Sequence, residues 1–425
     1  MKELAGKKLL ILAASHNEMD LVRRAQELGV YTIVTDYYDP ERSRAKKIAD
    51  EYWNISWSDT DALEKKCREV GVDGVTGGYS EFVIEAVIRL CERLGFPCYC
   101  DPKQLAVTRD KIAFKNACRN SHVPVVNEYG SVEAVTDFPV IIKPVDRAGS
   151  IGISVANSKE ELIKAYDHAM ELSVSKQVII EDFITSGRKI DVMYAILNGE
   201  IVFLTSCDTI RPKANGLKRV VQGGWSFPSR YEPDYLRCVD PAMRNMIESL
   251  GIKNGYIALS GFTVPKDDGL EFAFFECSFR LTGEHCCSYL RKKENSDIQD
   301  IFIRYALCGN TDGISFDRSE NPDLKCFMAD YAATGGTIKE ISGIEEISAL
   351  ENCTFTMQLA SKGQVCQEDA AALPGVALFH FCSTSAEVLK QCLAAANRLI
   401  SVKSEDGKDM IYSRTDPSEL DDAWV

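Results

Sequence analysis

The first hundred residues alternate between short apolar runs and amphipathic segments. KLLILAA (8–14) and YTIVTDYY (31–38) have the continuous apolar character of buried strands. DLVRRAQELGV (20–30) has helical spacing, as do residues 62–72 and 81–95. Such alternation predicts βαβ units around a parallel sheet.

A parallel sheet of this kind binds ligands at the carboxyl ends of its strands, here near Ser15, Asp36 and residues 77–80. A dinucleotide-binding sheet would carry Gly-x-Gly-x-x-Gly after its first strand. This chain has AASHNE at residues 13–18 instead. The sequence therefore predicts a half-Rossmann unit that does not bind NAD.

The middle of the chain mixes helices, strands and polar loops. Residues 101–120 predict one helix, and 205–235 are polar, rich in Gly and Pro, and predict a long functional or mobile loop. The strands expected here are FPVIIKPV (138–145), VIIEDFI (178–184), KIDVMYAIL (189–197), GEIVFLT (199–205), GYIALSGFTV (255–264) and GLEFAFFEC (269–277).

After about residue 318 the composition shifts. Segments at 328–341, 352–359 and 375–383 predict strands, and EVLKQCLAAANRLISV (387–402) predicts a helix. This pattern indicates a small α+β unit at the end of the chain.

The net charge and the length of the first apolar run disfavour two classes of partner. With 49 basic and 63 acidic residues, the net charge is −14, which disfavours a nucleic-acid-binding surface. The apolar run Leu9–Ala14 is too short to span a bilayer. We therefore expect a cytoplasmic protein with no nucleic-acid and no membrane partner. The 16 cysteines include no Cys-x-x-Cys pair, so we expect buried free thiols.

Three polar groups follow or interrupt predicted strands. Lys143 precedes a Gly-rich loop (146–154), so its ammonium and the loop amides suit a triphosphate. The run Glu181–Ile184 suits an adenine pocket, and Glu276 with Arg280 suits Mg²⁺ and a phosphoryl group. Taken singly, each also fits a plain alternative: a Gly-rich hairpin, an edge strand with solvated acids, or a structural Glu–Arg pair.

The order and spacing of these groups resemble the ATP-grasp family over roughly residues 5–320. Residues 320–425, with GGTIKEISG, resemble the C-terminal unit of its carboxylate–amine ligases. The resemblance implies an α/β and α+β protein with three parts. These are a half-Rossmann (pre-ATP-grasp) domain at 1–107, a two-lobed ATP-grasp domain at 108–320 (lobes at about 122–184 and 185–320), and a C-terminal α+β domain at 321–425.

The family clamps ATP between two lobes and converts a carboxylate into an acyl phosphate that an amine attacks. The resemblance thus implies ATP, Mg²⁺ or Mn²⁺, small carboxylate and amine substrates, and a homodimer. The ATP-binding residues that it implies are Lys111, Lys143, Ser150, Glu181, Asp182, Phe183, Ile184, Asp191 and Phe275. It further implies Glu276 and Ser278 at the metal, Arg280 at the transferred phosphoryl group, Glu284 as a general base, and Arg211, Lys218, Arg219 and Ser229 at the substrate.

Some positions depart from the family pattern. Ser260 stands where a second acidic metal ligand is usual, Ser278 replaces an Asn, and Lys189 replaces an acidic residue for which Asp191 is a possible substitute. A hydroxyl binds Mg²⁺ less well than a carboxylate does. Either Glu271 or the substrate fills the gap, or the chain is a catalytically weakened pseudo-ligase with a regulatory or scaffolding role. Bicarbonate activation is a third, disfavoured hypothesis, because the chain leaves no room for a biotinyl module or a second grasp.

Overall fold

The computed structural model describes residues 3–146, 151–212, 223–267, 269–294, 296–316, 321–367 and 373–424. Its first unit is a parallel sheet in the order β3-β2-β1-β4. The strands are β1 (Lys8–Leu12), β2 (Tyr31–Thr35), β3 (Glu51–Trp53) and β4 (Gly74–Gly77), and the helices are α1 (Glu18–Glu27), α2 (Thr60–Val70) and α3 (Glu81–Leu94). The βαβ alternation is confirmed; the edge strand β3 was not predicted.

The helix predicted over 101–120 is two helices, α4 (Pro102–Arg109) and α5 (Lys111–Asn120). Asp110 between them has an extended backbone, and its carboxylate accepts a 2.8 Å hydrogen bond from the Ala113 amide. An Asp in this position caps a new helix, so the break is encoded locally. One consequence is that Lys111 becomes the first residue of α5.

A small antiparallel sheet follows, in the order β5-β8-β6-β7, with one face covered by α6 (Lys159–Leu172). Its strands are β5 (Glu128–Tyr129), β6 (Val140–Pro144), β7 (Ser154–Ala156) and β8 (Val178–Asp182). The central strands β6 and β8 are the two that carry Lys143 and Glu181, which are not direct register partners: Lys143 pairs with Ile179, and Ile141 pairs with Glu181.

The largest sheet has eight strands in the order β13-β12-β9-β10-β11-β14-β18-β16. They are β9 (Lys189–Leu197), β10 (Glu200–Ile210), β11 (Gly224–Phe227), β12 (Gly255–Lys266), β13 (Gly269–Ser278), β14 (Lys325–Ala332), β16 (Cys353–Gln358) and β18 (Gly375–Ser383). The helices that contact this sheet are α7 (Glu232–Cys238), α8 (Asp240–Ser249), α9 (Cys287–Glu294) and α10 (Ile298–Cys308).

The long loop predicted over 205–235 is wrong in part. Residues 205–210 complete β10, and 224–227 form β11, which pairs with both β10 and β14. Polar residues such as Ser206, Asp208 and Ser226 are buried in these strands and masked the strand pattern. Tertiary pairing has overridden the local composition.

A three-stranded sheet, β17-β15-β19, lies in the last hundred residues. It comprises β15 (Gly336–Ser342), β17 (Val365–Cys366) and β19 (Ser401–Ser404), with helices α11 (Ile344–Ser348) and α12 (Ala386–Leu399) nearby. The eight-stranded sheet itself runs across residue 321, because β14, β16 and β18 follow that point. The domain boundaries given above stay predictions.

Aromatic packing joins the parallel sheet's unit to the large sheet. The Tyr99 ring lies edge-on to Phe279 and Phe302, with centroids 5.1 and 4.8 Å away, and its hydroxyl donates to the Phe279 carbonyl. All sixteen cysteines are free. In the part of the chain that the structure describes, no helix combines the length and apolar character needed to cross a membrane.

A substitution at Gly74 tests the contact between β4 and α10. A Cβ there would press directly against the Ala306 backbone carbonyl, which a rigid helix cannot withdraw. We expect Gly74→Ala to lower the free energy of unfolding by about 1 to 3 kcal/mol, the usual cost of overpacking. Urea unfolding measures it. Gly130→Ala is the control, because a Cβ at 130 meets nothing within 4 Å; equal effects of the two changes would contradict the packing described.

Candidate active site

A cavity of about 640 Å³ lies where the small sheet faces β12 and β13. It brings together residues that are far apart in the sequence and come from all three polar groups singled out above. The predicted site residues that line it are Lys111, Lys143, Glu181, Asp182, Phe183, Ile184, Arg211, Phe275, Glu276, Ser278 and Arg280.

Glu181 is the centre of a buried ion-pair network. Its Oε2 lies 2.7 Å from Lys143 Nζ, and its Oε1 contacts Lys115 Nζ. Lys115 is fully buried and also lies 3.2 Å from Glu128. Burial alone would raise the pKa of Glu181, but the two ammonium groups hold it below its ordinary value. Glu181 therefore lines the cavity as an ionised carboxylate that two lysines already occupy, rather than one left for ribose or the adenine amine.

Lys115 was missed by the sequence reasoning. It lies four residues after Lys111 on α5, so the two side chains fall on the same side of the helix. That spacing was the available signal. Lys111 begins α5 and faces the cavity, while Lys115 turns inward to Glu181.

Phe275 supports Lys143 from the opposite wall. The Lys143 ammonium lies 4.9 Å from the centre of the Phe275 ring, within cation–π range. The ring in turn stacks on Phe262, with centroids 5.1 Å apart. Lys143 is thus held between a carboxylate and an aromatic face, and its position needs little further ordering when an anion binds.

The stretch Asp182–Ile184 forms the apolar end of the cavity. The Asp182 and Phe183 amides donate to the Asn127 and Pro139 carbonyls, at 3.2 and 3.1 Å. The Asp182 carboxylate accepts from the Tyr129 hydroxyl at 2.7 Å. These polar groups of residues 182 and 183 are therefore already hydrogen-bonded within the protein.

Three adjacent strands align polar residues at the other end. In the register of β9, β12 and β13, Asp191 pairs with Ser260, and Ser260 pairs with Glu276. A bulge follows immediately, between Ser260 and Gly261. The Ser260 hydroxyl donates to Asp191. An acidic side chain thus lies one strand away from position 260, hydrogen-bonded to Ser260.

Asp191 does not line the cavity, because Lys189 holds it. Lys189 Nζ lies 2.7 and 2.8 Å from the two Asp191 carboxylate oxygens. Burial would lower the pKa of Lys189, but the carboxylates of Asp191 and Glu276 raise it above its ordinary value. Lys189 itself lines the cavity, so its ammonium group places a positive charge at this end.

Arg280 and Ser278 meet a residue from the parallel sheet's unit. Glu81 Oε1 lies 2.7 Å from Arg280 Nε and accepts from the Ser278 hydroxyl at 3.4 Å. Glu81 lines the cavity and was not predicted, because no local pattern links the start of α3 to a strand two hundred residues later. Glu271, the alternative second metal ligand, is exposed and lies 3.5 Å from Lys266, away from the cavity.

Glu284 and Ser229 are not among the lining residues. Burial raises the pKa of Glu284, and the Asp191 carboxylate adds to the shift, which is the direction a general base requires. Ser229 is buried and donates to Asp208 at 2.6 Å, so the structure does not bring it to the cavity. Ser150, Lys218 and Arg219 lie outside the described residues.

The donor set at the Glu276 end suits a hard divalent cation. Glu276 and Ser278 offer oxygens only, on the cavity wall. Mg²⁺ typically takes one or two protein carboxylates and completes its shell with phosphate oxygens and water. A single carboxylate at Glu276 therefore fits Mg²⁺ that arrives with a nucleotide, without a second acidic residue at position 260.

Comparisons with a family model and with curated proteins give matches to parts of this chain. Residues 113–222 match the family model described as D-ala D-ala ligase C-terminus, an ATP-grasp domain. The formate-dependent phosphoribosylglycinamide formyltransferase of Prochlorococcus marinus subsp. pastoris (strain CCMP1986 / NIES-2087 / MED4) is 32% identical over 189 residues, 42% of this chain and 48% of that protein. The match spans about half the length of this relative.

Solved structures share the fold over nearly the whole chain. An L-amino acid ligase from Bacillus licheniformis superposes with a TM-score of 0.73 at 15% identity, covering 94% of this chain and 99% of that one. The biotin carboxylase domain dimer of Hydrogenobacter thermophilus 2-oxoglutarate carboxylase, in complex with MgADP, ADP and bicarbonate, gives 0.73 at 20%, covering 93% and 91%. The resemblance to the ATP-grasp family and the mixed α/β fold class are confirmed.

Glu181→Gln tests the buried network. The change leaves Lys115 and Lys143 without their shared negative charge, and breaking a buried ion pair costs about 3 to 5 kcal/mol. We expect a loss of about 3 kcal/mol in the free energy of unfolding by urea. The control is Glu69→Gln, which removes an exposed helical pair with Lys66 worth under about 0.5 kcal/mol. A Glu181→Gln protein as stable as the control variant would contradict the network.

The difference in unfolding free energy between the parent protein and Glu181→Gln should depend on pH. Because the pKa of Glu181 is depressed in the folded protein, its contribution is present above the ordinary carboxylate range and is lost as pH falls through the folded pKa. The gap in stability between the parent protein and Glu181→Gln should therefore narrow in acid.

Proposed function

We propose that this chain is an ATP-dependent ligase that phosphorylates the carboxylate of a small molecule and passes the acyl group to an amine. The products are an amide or peptide bond, ADP and phosphate. One observation carries the proposal: a single cavity is lined by Lys111 and Lys143, by the Phe183–Ile184 end, and by Glu276 and Arg280. These are the groups needed to bind a triphosphate, a base and a transferring phosphoryl group.

ATP fits this cavity in one direction. The base lies against Phe183 and Ile184, with the Ile184 amide reading its edge, and the phosphates run past Lys143 and Lys111. Lys143 serves as a preordered point charge, because Glu181 and Phe275 already fix its ammonium. The γ-phosphate then comes to lie at the Glu276–Arg280 end.

The chemistry follows from the poor reactivity of a carboxylate. Attack of a carboxylate oxygen on the γ-phosphorus breaks the bond to ADP and forms an acyl phosphate, whose phosphate is a good leaving group. Bound Mg²⁺ would neutralise phosphate charge, with Glu276 and Ser278 as its protein ligands. The Arg280 guanidinium, oriented by Glu81, stabilises negative charge on the phosphoryl group and on the tetrahedral intermediate.

The amine must lose a proton as it attacks. Glu284 lies four residues beyond Arg280, and burial gives its carboxyl a raised pKa, which makes it a better proton acceptor near neutral pH. We propose it as the general base.

The substrates are proposed as a small carboxylic acid and a small amine. Arg211 lines the cavity and offers a cation for the acid. We assign Lys218 and Arg219 to the same substrate segment, and a cytoplasmic homodimer as the assembled form. The relatives give no support to the alternative of a pseudo-ligase without turnover.

The direct test is a phosphate-release screen over pairs of amino acids, sugar acids and amines, with ATP and Mg²⁺. At least one pair should produce ADP and phosphate in equal amounts, together with a condensed product detected by mass. Tight ATP binding with no ADP from any pair would overturn the ligase proposal and restore the pseudo-ligase.

Glu276→Gln tests the metal and phosphoryl end. Loss of its charge should lower ADP formation by at least about a hundredfold, with little change in the free energy of unfolding. Steady-state ADP release under the active pair measures it. Glu271→Gln is the matched control on the same strand, since Glu271 is exposed and away from the cavity; unchanged turnover in Glu276→Gln would sink the metal assignment.

The pH profile tests Glu284. A base works when deprotonated, so kcat/KM should rise with pH through the raised pKa of Glu284. In Glu284→Gln that acidic limb should vanish and the plateau fall by about 10²- to 10⁴-fold. Persistence of the same limb in the variant would assign it to another group.

A further inference from the structure

A second cluster of reactive side chains lies outside the cavity lining, between α1 and the segment that leads into α9. Asp20 of α1, His285 and Cys287 are all buried, and one ligand atom from each lies within 4.8 Å of the others. Cys287 Sγ is 3.0 Å from Asp20 Oδ2, and His285 Nδ1 is 3.9 Å from the same oxygen. None of the three takes part in the chemistry proposed above.

We propose that Asp20, His285 and Cys287 form a binding site for Zn²⁺ or a similar borderline-soft divalent ion. Thiolate, imidazole and carboxylate are the ligands that Zn²⁺ takes in proteins, and the thiolate disfavours Mg²⁺. The fourth position falls to the Tyr79 hydroxyl, which lies 3.5 Å from His285 Nδ1, or to water.

Two of the three ligand separations suit a tetrahedral ion with small adjustments, and the third, between Cys287 and His285, is within 4.8 Å. Zn–S and Zn–N or Zn–O bonds of about 2.3 and 2.0 Å place the ligand atoms of a tetrahedron about 3.3 to 3.5 Å apart. The two separations given above, 3.0 and 3.9 Å, fall on either side of that range. Shifts of about half an ångström in the side chains would therefore equalise them.

Neighbouring side chains form hydrogen bonds to the candidate metal ligands. His285 Nε2 lies 3.1 Å from Asn17 Oδ1, so an Nε2–H donor leaves Nδ1 to face the cluster. Gln299 donates to Asp20 Oδ2 at 2.9 Å and to the Tyr79 hydroxyl at 3.1 Å. Partners of this kind orient ligands and fix the imidazole tautomer. His285 is also held at φ 55°, a left-handed conformation uncommon for a non-glycine residue.

The charges and protons balance. In the metal-free protein the Cys287 thiol donates its hydrogen to Asp20. Binding of M²⁺ replaces that hydrogen, releases one proton to solvent, and leaves a neutral set of one cation, one thiolate and one carboxylate. Arg291 lies 4.0 Å from the other Asp20 oxygen, Oδ1, but its charge is already paired with Asp297 at 2.5 Å.

The ion would tie two parts of the fold together. It joins α1 of the parallel sheet's unit to the segment that follows Arg280 and Glu284 and leads into α9. We infer a structural role, fixing the segment that carries the proposed catalytic groups.

Cobalt is the probe that separates this site from the ATP site. Co²⁺ bound by a thiolate gives a sulfur-to-cobalt charge-transfer band in the near ultraviolet, whereas Co²⁺ at Glu276 and Ser278 has oxygen ligands only. We would titrate Co²⁺ into the full chain after removal of metals by a chelator and follow the absorption spectrum. The expected result is a band that saturates at one equivalent and is displaced by Zn²⁺.

Neighbouring cysteines give a matched pair of variants. Cys287→Ser should lose the band, and Cys286→Ser should keep it, because Cys286 Sγ instead faces the Tyr256 hydroxyl at 3.4 Å. Asp20→Asn keeps both thiols and should weaken Co²⁺ binding by at least about tenfold; it carries the test if Cys287→Ser does not fold, as judged by circular dichroism. No band in the parent protein, or a band that survives Cys287→Ser, overturns the proposal. None of these outcomes depends on ligase activity.

Discussion

Two lysines that share one buried carboxylate are the constraint on which the site depends. Lys115 and Lys143 reach Glu181 from a helix and from a neighbouring strand, so α5, β6 and β8 are tied at one point. Removing the Glu181 charge would leave the buried Lys143 ammonium without its carboxylate partner, which costs several kcal/mol. The protein therefore cannot relax this arrangement without losing stability, and Lys143 stays aimed at the cavity.

The opposite wall depends on strand register. Because Asp191, Ser260 and Glu276 are aligned across β9, β12 and β13, the polar end of the cavity lies a fixed distance from the Phe275 ring beneath Lys143. The Lys189–Asp191 pair keeps a cation at that end and withdraws a carboxylate from it. Among the acidic residues of these three strands, Glu276 is the one that lines the cavity and can face an incoming metal. Lys189 and Ser260 both depart from the family pattern, and both bind the Asp191 carboxylate, so the two departures are linked.

The site residues that depend on a local strand pattern could be predicted from the sequence. Lys143, Glu181 and Glu276 were identified because each stands on or at the end of an apolar strand, and the βαβ alternation set the first sheet. The contacts of Glu81 and Lys115 were not predicted, since they arise from tertiary packing that no spacing encodes, apart from the i, i+4 relation of Lys115 to Lys111. Buried polar strands near residues 206 and 226 looked like a loop for the same reason: their partners are distant in the chain.

In the proposed ligase reaction, the γ-phosphate is transferred to a carboxylate oxygen of the substrate. The most direct measurement uses an active acid labelled with ¹⁸O in its carboxylate, followed by mass analysis of the phosphate released with ADP. Each released phosphate should contain one ¹⁸O atom, which it takes from the acyl phosphate when the amine displaces it. Unlabelled phosphate formed together with the condensed product would contradict it.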